Sequence, residues 1–153
     1  MRITAKADYA VRAAAELAAA EPSARPVKSE AIAAAQGIPR NFLENILSDL
    51  RHAGLVKSQR GAEGGFRLAR PASEVSVADV IRAVEGPLAA VRGEAPEDVG
   101  YVGAAAPLQD VWIAVRASLR SVVEQVTLAD LAAGKVPPHV AALAGDPDAR
   151  LRR

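Results

Sequence analysis

The chain has 153 residues, about half of them apolar, and that length predicts one compact domain with an appended arm. It contains no cysteine, which excludes disulfides, thiol switches and cysteine-held zinc or iron–sulfur sites, and no apolar run approaches the roughly 18 residues of a membrane span. The net charge of +1 hides an asymmetry: residues 1–70 carry 11 basic and 7 acidic side chains, residues 71–153 carry 8 and 11, a division expected when one end meets nucleic acid and the other does not.

Alanine supplies much of the apolar fraction, and there are only two Phe, two Tyr and one Trp. Such a composition suits closely packed helices, but it buries little area per residue, which favours help from a partner subunit. The first helix is expected from about Thr4 to Ala20, ended by Pro22 and Pro26. Its alanine run is interrupted by Asp8, Arg12 and Glu16, so no signal-peptide core forms and the chain is expected to be cytosolic.

Ser29 is a suitable N-cap for a second helix, Glu30 to Gln36, with Gly37 as its left-handed stop. Ile38-Pro39 makes a turn, and a third helix follows from about Arg40 to Ala53, ended by Gly54. Two helices joined by a short turn containing Gly have the helix-turn-helix pattern. Leu55–Arg60 then reads as a strand, Gly61–Gly65 as a glycine turn and Phe66–Ala69 as the returning strand. Ser76 and Asp79 have capping-box spacing before a fourth helix, Val77 to Glu85, which Gly86-Pro87 breaks.

Leu88–Pro107 shows no period, is acidic at Glu94, Glu97 and Asp98, and is predicted to be a flexible loop. From Leu108 to Val126 the apolar positions Leu108, Trp112, Val115, Leu119, Val122 and Val126 step by four and three in alternation. That is a narrow seam with a 3.5-residue repeat, and it predicts a dimerisation helix flanked by Arg116, Arg120 and Glu124. Thr127 and Asp130 form another capping box before a short helix to Ala133, and residues 134–153 are expected to be a loose tail. The fold class is therefore mainly α with a small β-hairpin: a winged helix-turn-helix over 1–86, a loop over 87–107, and a dimerisation region over 108–133.

In the third helix Leu43, Ile46, Leu47 and Leu50 share a face and are expected to be buried. Arg40, Asn41, Glu44, Asn45 and Ser48 are left facing outward near its N-terminal half, which a recognition helix presents to base edges. Arg can pair with guanine, Asn with adenine, and Glu can accept from the cytosine amino group. In the hairpin, Lys57, Arg60 and Arg67 flank the turn opened by Gly61, and Arg60 is placed to enter a narrow minor groove. Arg2 and Lys6, at the start of the first helix, are phosphate contacts or plain surface charges. An ordinary polar helix face beside a solvent-exposed hairpin is the competing account, and the order helix, strand, basic glycine turn, strand weighs against it.

No Ser/His/Asp arrangement, phosphate-binding loop or metal triad is present, so the chain is not expected to be an enzyme. Duplex DNA and a second copy of the chain are the expected partners. A winged protein-interaction module without DNA binding is the alternative, which the basic wing disfavours.

Several segments resemble the Rrf-two-type family of bacterial repressors, in the order that family has them. They are Met1–Ala10 (MRITAKADYA), Phe42-Leu43-Glu44, Ala53-Gly54-Leu55-Val56, Ser58-Gln59-Arg60-Gly61, Gly64-Gly65-Phe66-Arg67-Leu68, Val84-Glu85-Gly86-Pro87 and Thr127–Leu131. The resemblance covers about residues 1–133. It implies a homodimer with crossed long helices, Phe42 and Glu44 at the base-reading end of the third helix, and Arg60 on a minor-groove wing. Many relatives carry three cysteines after Glu-Gly-Pro that hold an iron–sulfur cluster, completed in some by an acid matching Asp8. This chain has none of those cysteines, so no cofactor is expected, and the signal is left to a small molecule, a protein effector or no effector at all.

Overall fold

The computed structural model describes all 153 residues. Seven α-helices and one two-stranded antiparallel sheet follow in the order α1 (Ala5–Ala20), α2 (Ser29–Gln36), α3 (Arg40–His52), β1 (Val56–Gln59), β2 (Gly65–Leu68), α4 (Val77–Glu85), α5 (Leu108–Val123), α6 (Leu128–Ala132) and α7 (Pro138–Gly145). The mainly helical class with one hairpin is as the sequence predicts.

α1 is the central strut. Thr4 caps it by accepting from the Ala7 amide at 3.1 Å, and its hydroxyl also donates to Glu85 at the end of α4. Ala10, Ala13, Ala14, Leu17 and Ala18 are buried along its length, and α2, α3, α4, α6 and β2 all pack against it. With Ala7, five alanines on that face keep side chains short, so neighbouring backbones approach closely and dispersion contacts replace bulk. From α3, Leu43, Ile46, Leu47 and Leu50 complete the core, each with at most 1% of its surface exposed. Burying such a side chain is worth about 1.5–3 kcal/mol.

The chain closes on itself through a short staple. The Val77 amide donates to the Val126 carbonyl and the Leu128 amide to the Val75 carbonyl, both at 2.9 Å. Both capping boxes form beside it, Ser76 with Asp79 and Thr127 with Asp130. Val126 therefore lies outside α5, 6% exposed in the domain's own core. The seam expected to run from Leu108 to Val126 ends before it. The 3.5-residue spacing does not reveal that the helix stops at Val123 and the chain turns inward.

Three further expectations are corrected. Ser29 is the first helical residue of α2 rather than its cap; Lys28 takes the cap position, with no side-chain hydrogen bond there, and the Ser29 hydroxyl is 3.4 Å from Glu30. The 88–107 segment, read as structureless from its lack of period, holds local structure. It contains a Val91–Glu94 bridge and short 3₁₀ turns at Pro96–Asp98 and Gly103–Ala105, and it buries Pro96 and Val99. The Gln109 side-chain amide donates to the carbonyls of Glu97 and Val99, both at 3.0 Å; Trp112 Nε1 donates to the Tyr101 hydroxyl at 3.1 Å; Arg116 pairs with Glu97 at 2.7 Å. Side chains of α5 thus supply the order that the loop lacks in local periodicity. The tail forms α7 and a 3₁₀ turn over Pro147–Arg150, and His139 of α7 lies 2.9 Å from the Ser121 carbonyl of α5.

Arg116 and the backbone amide of Glu97 itself hold the Glu97 carboxyl below its ordinary value. A carboxylate favoured in this way contributes above its unfolded-state value, near 4.5, and its contribution fades as pH falls through the lowered folded value. The only Trp reports on this latch. Trp112 fluorescence is expected to change on acidification below about pH 4.5, ahead of global unfolding. Glu97→Gln should remove that acid-range change, and an identical acid titration in the variant would contradict the latch.

Candidate nucleic-acid interface

α2 ends at Gly37, which adopts φ +62°, and Pro39 leads directly into α3. Ile38 is buried in the turn and its amide bonds back to the Ala33 carbonyl at 3.1 Å. This two-helix unit is tied to α1 by Arg12. One guanidinium nitrogen of Arg12 donates to the Gln36 carbonyl at the end of α2 at 2.7 Å, and another pairs with Asp8 at 2.9 Å. The same group lies 4.8 Å from the Tyr9 ring centroid, and Tyr9 meets Phe42 of α3 edge-on at 6.0 Å. A cation, two rings and a helix-terminal carbonyl thereby fix how α3 projects from α1. Sequence reasoning missed Tyr9 and Arg12; their only local signal was the one-turn spacing of Asp8, Tyr9 and Arg12.

On the outer face of α3, Arg40, Asn41, Phe42, Glu44 and Asn45 are exposed, and Ser48 is half-buried. Phe42 leaves 52% of its surface open although it is large and apolar. Arg40 is engaged with Glu30 of α2 at 2.8 Å, and Lys6 with Asp49 of α3 at 2.8 Å. Both pairs are solvent-exposed and weak, so a phosphate or a base edge can displace the carboxylate at small cost. Lys28 and Arg40, with the Glu30 backbone amide as the main cause, hold the Glu30 carboxyl below its ordinary value. Arg2 is exposed at the chain start.

The wing is built by backbone rather than by a core. β1 pairs with β2 from Val56–Leu68 to Gln59–Gly65. Val27, just before α2, adds a bridge to Phe66, with both amide–carbonyl bonds at 2.8 Å. Gly65 makes that bridge possible. Its φ is +151°, and a β-carbon there would lie 2.6 Å from the Val27 carbonyl oxygen. Arg60 and Gly61 open the turn and are exposed, and Arg60 takes part in none of the ion pairs.

Lys57 stands on β1, exposed and outside every ion pair, as Arg60 is. Successive residues of a strand point to opposite faces. Arg51 of α3 reaches the Ser58 hydroxyl at 3.5 Å, and Lys57 lines a cleft with Arg25 and Arg67. Lys6 is brought to α3 by Asp49, while Arg2 and Arg60 stand exposed at the chain start and at the turn.

No cluster of three or more His, Cys, Asp or Glu stands together to hold a metal ion. Asp8 is occupied by Arg12, and the 88–107 segment offers no thiolate. The residues present do not fit a cysteine-held iron–sulfur cluster.

A family model described as an iron-dependent transcriptional regulator, Rrf2, matches residues 3–134. A Mycobacterium tuberculosis protein whose name calls it an HTH-type transcriptional regulator is 56% identical over 146 residues, covering 95% of this chain and 90% of that protein. The structure is similar to that of CymR, the global cysteine regulator of B. subtilis, with a TM-score of 0.72 and 34% identity over 88% of this chain and 98% of that one. It is also similar to T. potens IscR, with a TM-score of 0.70 and 31% identity over 100% and 93% of the two chains.

The wing geometry has a direct test. Gly65→Ala is expected to break the Val27–Phe66 bridge and to lower stability by about 1–3 kcal/mol, the usual cost of a strained backbone position. Urea unfolding measures the loss, and amide exchange at Val27 and Phe66 locates it. Unchanged protection at both amides would show that the close approach is not needed.

Proposed function

The chain belongs to the Rrf2 family of HTH-type transcriptional regulators and is not an enzyme; on that premise we propose that it is a homodimeric repressor that reads a palindromic operator without an iron–sulfur cluster. The observation that carries the reading is the pairing of an exposed polar α3 face, Arg40 to Ser48, with an unpaired Arg60 on a glycine wing held at a fixed pitch by Val27. The α3 face enters the major groove, with Glu44, Asn41 and Asn45 as base readers and Arg40 moving from Glu30 to a guanine or a phosphate. Phe42 supplies an apolar edge suited to a thymine methyl group. Arg60 and Gly61 reach the minor groove, and Arg2 and Lys6 contact phosphates. Residues 1–86 form the reading unit in this proposal.

Dimerisation is assigned to α5. None of its 16 residues is buried within one chain, although Leu108, Trp112, Val115, Leu119 and Val122 lie along one seam. A helix with that pattern and no core of its own is suited to pack against its copy. Two-fold symmetry then matches the symmetry of a palindrome.

Selection from random duplex DNA gives the operator, and a salt titration of binding tests the wing. Arg60→Ala should weaken binding and lower the slope of log affinity against log salt by about 1, because one inserted cation no longer releases a counterion. An unchanged slope would remove the wing from the interface. Light scattering at micromolar concentration should give the mass of two chains, and Leu119→Glu should halve it. A monomeric wild-type protein would rule out the assignment of α5.

A further inference from the structure

At the root of the wing a cleft of about 310 Å³ opens between β2, the end of α1 and the loop that precedes α2. Its floor is apolar, formed by Leu17, Phe66 and Leu68, and its rim carries Arg25, Lys57 and Arg67. None of these three cations is in an ion pair. Lys57 and Arg67 are direct cross-strand partners, so two like charges face each other in the narrowest part of the sheet, an arrangement that destabilises a hairpin on its own. Glu21 is the one acid on the lining, and its carboxylate is committed to the Ala72 amide at 2.8 Å. The cleft thus combines an excess of positive charge, three cations against one carboxylate, with an apolar floor and a volume at the lower end of small-molecule sites.

We propose that this cleft binds a small amphipathic organic anion, with its carboxylate or sulfonate between Arg25, Lys57 and Arg67 and its apolar body on Phe66 and Leu68. One feature separates this occupant from a DNA phosphate: a phosphate has no use for the apolar floor. A fully polar anion would leave the half-buried Phe66 and Leu68 against water. An uncharged apolar ligand would leave the Lys57–Arg67 repulsion unrelieved. The proposal goes beyond the operator-binding reading and does not depend on it, because its readout requires no DNA.

The test uses the whole protein, labelled with ¹⁵N, and three probes: 2-naphthoate, the uncharged 2-naphthamide, and inorganic phosphate. Naphthoate is expected to shift the amide resonances of Val27, Lys57, Phe66, Arg67 and Leu68 in a saturable way, and the other two probes are not. Arg67→Gln combined with Lys57→Gln, both exposed and outside the core, should weaken naphthoate binding about tenfold or more while the remaining spectrum stays in place. Equal binding of naphthoate and naphthamide would overturn the role of the cations. Equal binding of phosphate and naphthoate would overturn the role of the floor. No saturable shift at these residues with any probe would remove the site. If operator DNA shifted this cluster and the double substitution lowered the salt slope of DNA binding, the three cations would belong to the DNA interface and the proposal would fall.

Discussion

The close approach of α1 to its neighbours sets the rest of this structure. With five alanines and one leucine on its buried face, α1 lets the helix-turn-helix, the wing, α4 and α6 sit directly on its backbone. The core is consequently thin and dense, and it gains by complementarity what it lacks in aromatic volume. The Arg12 hydrogen bond to the Gln36 carbonyl depends on the same proximity. A longer side chain at Ala13 or Ala14 would push α1 away from its neighbours and change the angle at which α3 leaves the domain.

Much of this was legible in the sequence, for identifiable reasons. The α3 core face follows from a strict i, i+3, i+4, i+7 pattern, and Leu43, Ile46, Leu47 and Leu50 are buried as it predicts. Both capping boxes were legible because their residues lie within one turn and their chemistry is local. The misses share the opposite property. The 88–107 segment is ordered by Gln109, Trp112 and Arg116, which lie on the following helix, and no pattern inside the loop announces them. Val126 kept the seam's spacing yet turned inward, because backbone bonds from Val77 and Leu128 overrode the helical period.

The cations of the reading unit fall into two groups when the protein is alone. Lys6 and Arg40 are held by Asp49 and Glu30, and each pair links two elements of the helix-turn-helix scaffold. Arg2 and Arg60 are not held in this way. The paired cations keep the local surface near neutral, and unpaired ones keep a long-range field that attracts anions. Glu44 fits this division. A carboxylate on the outer face of α3 repels phosphate generally, so it is tolerable where a specific donor offsets the repulsion, and it penalises sites that lack that donor.

The staple between Val75–Val77 and Val126–Leu128 brings the two ends of a long stretch of chain side by side. Everything from Gly86 to Gln125 is therefore a detour that leaves the domain at the end of α4 and re-enters it beside the start of the same helix. Lengthening a detour of this kind adds little closure entropy, since each doubling of length costs only about 0.6 kcal/mol. The path of the chain through the reading unit does not register what the detour contains. One scaffold can thus carry loops of different content, here one latched by Gln109, Trp112 and Arg116, with the helix-turn-helix and the wing unaltered.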